Sequence, residues 1–314
     1  MVQFTDLHYG EVILDDFTMY VQKIILDLEK PDLVVMTGDQ IGGGFVSTSF
    51  WGKMEWNNTV KEMVSRNIPW AMTFGNHDDL GYFSRKELMT IDKSYPLSQS
   101  EFGPDDITGV SNYYLEIHTA ESTPDEKEVA AVLYFLDSGD KGCMGHDGWG
   151  CVYPDQIEWF TEVSSEFSKK YPKHMGIVLF HIPVPETLEF WHTNVSYGLK
   201  HESDGCPTYN TGLYQAMVDN GNIKLVLNGH DHKNDYCTRS VATAPDLWLC
   251  YGRKTGYGNY NPVPPMYQGA RIIQLFNDKS DGTTWKSYIR DQQKAKITQP
   301  LHQPDEILTE KCDT

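Results

Sequence analysis

Five short apolar runs in this chain each stop at residues able to hold a metal ion, and that repeated juncture narrows the fold more than any other feature. Val2-Gln3-Phe4 leads to Asp6-Leu7-His8, and residues 33–37 lead to Gly38-Asp39. Residues 70–74 run into Gly75-Asn76-His77-Asp78, residues 176–180 into His181, and residues 225–228 into Gly229-His230-Asp231-His232. Runs this short and this apolar read as buried strands. In open α/β sheets, sites assemble at the carboxyl ends of strands. A lone His-x-His is usually an ordinary pair, and a lone Gly-Asp is usually a turn. Five such junctures in order amount to one site built from distant parts of the chain. Carboxylate, amide oxygen and imidazole, with no thiolate, suit hard-to-borderline divalent metals. Asp-x-His and His-x-His place both side chains on one side of an extended backbone. The glycines before Asp39, Asn76 and His230 permit backbone conformations closed to other residues.

Between these junctures the pattern alternates strand and helix. Residues 16–30 form a helical stripe of Phe17, Tyr20, Val21, Ile24, Ile25 and Leu28, ended by Lys30-Pro31. A helix is expected near 52–66, another opening on the capping box Ser84-Arg85-Lys86-Glu87, one starting at Pro154, and one over 212–219 closed by Gly221. Residues 113–117 and 130–136, around a polar turn at 119–128, read as an antiparallel pair. So do 270–276 and 284–289, around a turn at 277–282. The result is a mixed α/β architecture with sheets covered by helices, in a single domain over residues 1–314. Residues 138–152 and 183–210 read as long unstructured loops and candidate substrate walls.

A net charge of −18 argues against a general affinity for nucleic-acid backbones. No run approaches the roughly 18–20 apolar residues of a membrane helix. The six cysteines form no CxxC, which disfavours a zinc finger or a thioredoxin-like site. Cys237 and Cys250 stand on what read as antiparallel neighbours, at a spacing that predicts a bridge; Cys143–Cys151, bracketing a Gly-rich loop, is the second expected pair. Two sequons, Asn57-Asn58-Thr59 and Asn194-Val195-Ser196, point with the bridges toward a secreted, lysosomal or vacuolar glycoprotein, the cytoplasm being the alternative. Met1 lies directly against a core strand, which suggests removal of an upstream leader.

The ordered set DLH, GD, GNHD, a lone His and GHDH resembles the motif set of the calcineurin-like metallophosphoesterases, over roughly residues 2–260. Stretches such as WAMTFGNHDD, LVLNGHDHKNDYC and LCYGRKTGYG look like the small purple-acid-phosphatase-like branch, some of whose plant and fungal members carry an inactive label. The resemblance implies a four-layer αββα sandwich of two mixed sheets flanked by helices. It implies two divalent ions (Fe, Mn or Zn): the first on Asp6, His8 and His232, the second on Asn76, His181 and His230, with Asp39 bridging. It implies hydrolysis of a phosphomonoester by a metal-bound hydroxide, with His77 assisting the leaving group and Asp78 orienting His77. Asp231, between two ligands, is expected to point away. True purple acid phosphatases carry a ligand Tyr three residues after the GD aspartate. Here that position is Gly42, which removes the phenolate and the need for Fe(III). His192 and Arg253 are candidate substrate contacts, and Tyr251, Tyr257 and Tyr260 a candidate stacking surface. A phosphodiesterase of nucleotides or lipid head groups, and a non-catalytic metal-stabilised binding module, are the competing readings.

Overall fold

The strands over 34–37 and 129–135 are buried on both faces, and that decides the layering. Val34 and Met36 join one core cluster while Val35 joins another; Val132 and Tyr134 likewise part from Ala131 and Leu133. Each strand therefore needs a packed layer on either side. The computed structural model describes residues 1–120, 122–123, 127–278, 280–305 and 310–314.

The chain begins with β1 (Val2–Phe4), α1 (Ile13–Glu29), β2 (Val34–Thr37), α2 (Ser49–Val64), β3 (Trp70–Thr73), α3 (Arg85–Asp92), β4 (Tyr113–His118) and β5 (Val129–Phe135). It continues with β6 (Lys141–Cys143), β7 (His146–Trp149), α4 (Pro154–Lys170), β8 (Met175–Leu179), α5 (Glu186–Thr193), β9 (Ser196–Tyr197), α6 (Leu213–Asn220) and β10 (Ile223–Asn228). Last come β11 (Cys237–Thr238), β12 (Trp248–Tyr251), β13 (Gly269–Asp278), β14 (Gly282–Asp291), β15 (Lys296–Ile297) and β16 (Leu301–His302). One sheet has the order β15-β14-β13-β1-β2-β3, with β1, β2 and β3 parallel. The other has the order β16-β9-β11-β12-β10-β8-β5-β4, with β12, β10, β8 and β5 parallel. Val35, Leu133, Ile177, Leu225 and Ile273 fill the space between the sheets. Val21, Ile25, Trp56 and Leu88 of the first three helices cover the first sheet, and Phe160, Phe190 and Met217 of the last three cover the second. The expected four-layer α/β sandwich is what the chain adopts.

Local signals explain the helix ends. Ser84 and Glu87 form the expected reciprocal capping box, and Pro154 stands in the first turn of α4. Other expectations need correction. In α1 the buried face carries Thr18, Val21, Gln22, Ile25 and Leu26, while Phe17, Tyr20 and Leu28 are exposed. Gln22 accepts a hydrogen bond from Tyr9 Oη at 2.6 Å and donates to the Thr59 carbonyl at 3.1 Å. Of the expected stripe, Val21, Ile24 and Ile25 are buried, sharing the covered face with this polar pairing. Residues 138–152 are not unstructured: β6 and β7 form a hairpin clamped by Cys143–Cys151. Residues 183–210 likewise contain α5 and β9. The pairing of β13 with β14 continues to Asp278 and Gly282, into the expected turn at 277–282; residue 279 and part of the expected turn at 119–128 lie outside the described residues. Cys237 faces Cys250 across β11 and β12, giving the expected bridge. A third bridge, Cys206–Cys312, joins positions too far apart in sequence to be paired from spacing. Among the described residues, no helix is long and apolar enough to cross a membrane.

Candidate metal centre

The parallel strands of the two sheets end side by side, and all five metal-capable junctures meet there. β1, β2 and β3 deliver Asp6, His8, Asp39 and Asn76; β8 and β10 deliver His181, His230 and His232. One ligating atom from each of Asp6, His8, Asp39 and His232 lies within 4.8 Å of the others, all buried. Asn76 Oδ1 stands 3.0 Å from His181 Nε2 and 2.9 Å from His230 Nδ1. Asp39 Oδ2 sits between the two groups, 3.5 Å from His8 Nε2 and 3.3 Å from His181 Nε2.

Backbone geometry differs from the extended form expected of Asp-x-His and His-x-His. Asp6, His8, Asp39 and His230 all adopt left-handed conformations, with φ between 50° and 82°. Such non-glycine residues cost on the order of 1–3 kcal/mol each and persist where surrounding structure dictates them. Among the flanking glycines, Gly38 is itself left-handed, whereas Gly229 provides room: a Cβ there would press on Asp6 Oδ2 at 2.9 Å. Holding contacts are dense. Thr5 Oγ1 donates to Asp6 Oδ2 at 2.7 Å, and the His77 backbone N–H donates to Asp39 Oδ1 at 2.8 Å.

The donor chemistry fits a cation. His181 Nδ1 hydrogen-bonds the Thr37 carbonyl at 2.8 Å, and His232 Nδ1 the Tyr260 carbonyl at 2.7 Å. A carbonyl only accepts, so each Nδ1 carries a proton and each Nε2 is the nitrogen turned toward the donor cluster. His8 Nε2 lies only 3.1 Å from His232 Nε2. Burial alone would raise the Asp6 and Asp39 carboxyls, yet the His232 and His181 imidazoles hold them below the usual carboxylate range. Burial would lower His181, but the Asp39 carboxylate pushes it up to about 9.

Beside these groups opens a cavity of about 150 Å³, lined by His77, Trp149, Glu202, Tyr260 and Asp313 among others. The His77 ring lies 4.9 Å from that of His8. Trp149 packs edge-on against His230 at 4.4 Å, and Tyr260 stacks on His232 at 4.0 Å. Asp231 points away from the donor cluster, accepting hydrogen bonds from Gly205 N–H and Tyr251 Oη.

Three expected roles do not fit. Asp78 does not reach His77; its carboxylate accepts the backbone N–H groups of Asp39, Ile41 and Gly75, and so fixes the Asp39 turn. His192 faces elsewhere, held between Asp305 at 2.5 Å and Glu310 at 2.8 Å. Arg253 is buried with its donors taken by Asp235 and the Tyr267 carbonyl. Of the three tyrosines, only Tyr260 lines the cavity. Sequence reasoning named none of Trp149, Glu202 and Asp313, though the first two stand in the segments 138–152 and 183–210 expected as substrate walls. A Cys-clamped Gly-rich loop hinted at the first; Asp313 arrives through Cys206–Cys312 and has no local signal.

A family model described as calcineurin-like phosphoesterase matches residues 1–234. "Probable inactive purple acid phosphatase 29" of Arabidopsis thaliana is 31% identical over 290 residues, covering 86% of this chain and 72% of that protein. "Phosphatase DCR2" of Saccharomyces cerevisiae is 32% identical over 314 residues, but the chain spans only 53% of its length. In structure, a dimetal phosphatase from Danio rerio superposes with a TM-score of 0.61 at 14% identity, covering 97% of this chain and 98% of that one. A purple acid phosphatase from yellow lupin seeds gives a TM-score of 0.57 at 11% identity, over 97% of this chain and 53% of that one. Both structural likenesses bear on the fold alone.

Proposed function

The chain belongs to the calcineurin-like phosphoesterase family, and from that membership we propose that it is an active dinuclear-metal hydrolase of phosphomonoesters. The observation that carries this reading is the convergence of seven metal-capable side chains from five strand ends, with the Nδ1 protons of His181 and His232 turned outward to backbone carbonyls. Asp6, His8 and His232 would hold one ion and Asn76, His181 and His230 the other, with Asp39 within reach of both. A pair of divalent cations held there supplies Lewis-acid polarisation of the phosphoryl group and activation of a water. The chain's own residues do the rest. Asp39, fixed by the His77 N–H and by Asp78 behind its turn, keeps the two halves of the donor set in register. The His77 ring, at the cavity wall, gives a proton to the leaving oxygen as the phosphorus–oxygen bond breaks. Trp149 and Tyr260 pack on His230 and His232 and limit water at the cavity.

Gly42 occupies the position of the purple-type tyrosine, and its N–H donates to the Tyr9 carbonyl at 2.7 Å. A divalent pair of Fe, Mn or Zn is the reading that follows. The inactive label belongs to relatives; this chain keeps all seven donor positions and His77. Three disulfides and the purple-acid-phosphatase-like relatives support a secreted or vacuolar protein, with the exposed Asn57 on α2 the better-placed glycan acceptor. The test is turnover of p-nitrophenyl phosphate and bis-p-nitrophenyl phosphate by metal-reconstituted protein, with Asp39→Asn as control. Faster turnover of the diester overturns the monoester preference, and no turnover of either, with two metals bound, makes the chain a binding module.

A further inference from the structure

The chain crosses the metal centre once more after the part matched by the family model, at residues 252–260. Gly252 N–H donates to the Asn228 carbonyl at 2.7 Å, just before the turn that carries His230. Thr255 N–H donates to the Thr5 carbonyl at 3.0 Å and Gly256 N–H to the Asp6 carbonyl at 3.2 Å. The Tyr260 carbonyl takes the His232 Nδ1 proton. A side chain at position 256 would collide with the backbone of Leu7. The segment thus touches both turns that supply Asp6, His8 and His232, and it is anchored to β13 by the Gly269 N–H on the Lys254 carbonyl at 3.0 Å.

Within this segment Lys254 is fully buried, and its Nζ donates to the Asp6 carbonyl at 3.1 Å. Among the described residues, no carboxylate lies within ion-pair distance of it. A buried ammonium without a paired carboxylate is costly and calls for compensation nearby. What compensates it is the Asp6 carbonyl and the field of the centre's carboxylates. In return, it fixes the Asp6–Leu7 peptide, in a turn where Asp6 and His8 are both left-handed.

We propose that residues 252–260 form a strap integral to the metal centre, and that Lys254 is a positioning residue for the half made of Asp6, His8 and His232. The proposal rests on the dinuclear reading above. Its test is a titration of the metal-free, disulfide-intact chain with Co²⁺ alone, following visible absorption and chelator competition. Wild type should bind two equivalents. Lys254→Met should retain the fold by circular dichroism and hold one equivalent with unchanged affinity. The other should weaken about 10–100-fold, the usual effect of losing an outer partner of a metal ligand. The band it loses should be the band lost in His8→Ala. If Lys254→Met does not fold, Lys254→Gln carries the test, with the same selective loss expected. Unchanged affinity for both ions, or equal weakening of both, overturns the strap. A wild-type chain that binds no cobalt instead sinks the dinuclear reading itself.

Discussion

Asp39 Oδ2 stands between the two halves of the donor set, 3.5 Å from His8 and 3.3 Å from His181, while Oδ1 accepts the His77 N–H. Asp39→Asn removes a charge that no neighbour can replace, so both metal occupancy and turnover should fall sharply; metal analysis of purified variant checks it. Full turnover after exhaustive dialysis against a strong chelator would contradict the assignment. His77 stands apart from that contact network in its side chain and borders the cavity. His77→Asn should leave metal content near wild type and lower kcat by about 10²–10⁴-fold, the range for losing a general acid. The deficit should shrink for p-nitrophenyl phosphate, whose leaving group needs little protonation. Loss of metal in this variant would make His77 a ligand.

At the scale of elements, α1 and α2 meet over buried carboxyls. Asp15 accepts the Gly10 N–H at 3.1 Å, and Glu55 of α2 accepts Trp51 Nε1 at 2.8 Å. Burial, with a lesser push from the Glu55 charge, raises Asp15 to about 6 against its two backbone hydrogen bonds. A raised folded-state carboxyl contributes stability that is complete below its unfolded value near 3.9 and is lost as pH rises through about 6. Asp15→Asn is neutral at all pH, so it should melt higher than wild type at pH 7.5, by roughly 2–4 °C, the shift that about 1 kcal/mol produces. The gain should vanish near pH 4, and differential scanning calorimetry at both values decides it. Another element-scale device is the Cys237–Cys250 bridge, which closes the connection between the His232 turn and β12. Replacing both by Ala should cost about 3 kcal/mol on a loop-entropy basis, measured by denaturant midpoint in the metal-free state.

For the molecule as a whole, the donor set spans the boundary between the sheets. Asp6, His8, Asp39 and Asn76 belong to the first sheet, and His181, His230 and His232 to the second. Ions held there would tie the layers together beyond the apolar contacts of Val35, Leu133 and Ile177. A ligand at 100 times its Kd stabilises by about 2.7 kcal/mol. Chelation should therefore lower Tm by several degrees, and stoichiometric Zn²⁺ or Mn²⁺ should restore it. An unchanged Tm in metal-free protein would mean the sheets hold without the centre.

What the sequence alone determined are features carried by near neighbours: which residues can ligate, that each follows a buried strand, the capping box at Ser84, the Pro154 helix start. The Cys237–Cys250 pairing belongs here too, since twelve intervening residues leave few ways to join adjacent strands. Chemistry and periodicity over a few positions encode all of these. The left-handed turns at Asp6, His8, Asp39 and His230 were not legible, because the contacts that hold them come from residues up to about 250 positions away, such as Lys254. Arg253 and His192 looked available in one dimension and proved spent, on Asp235 and on Asp305 with Glu310. Whether a charged side chain serves a ligand or a neighbour is settled by which distant groups fold against it, and only the packed structure holds that information.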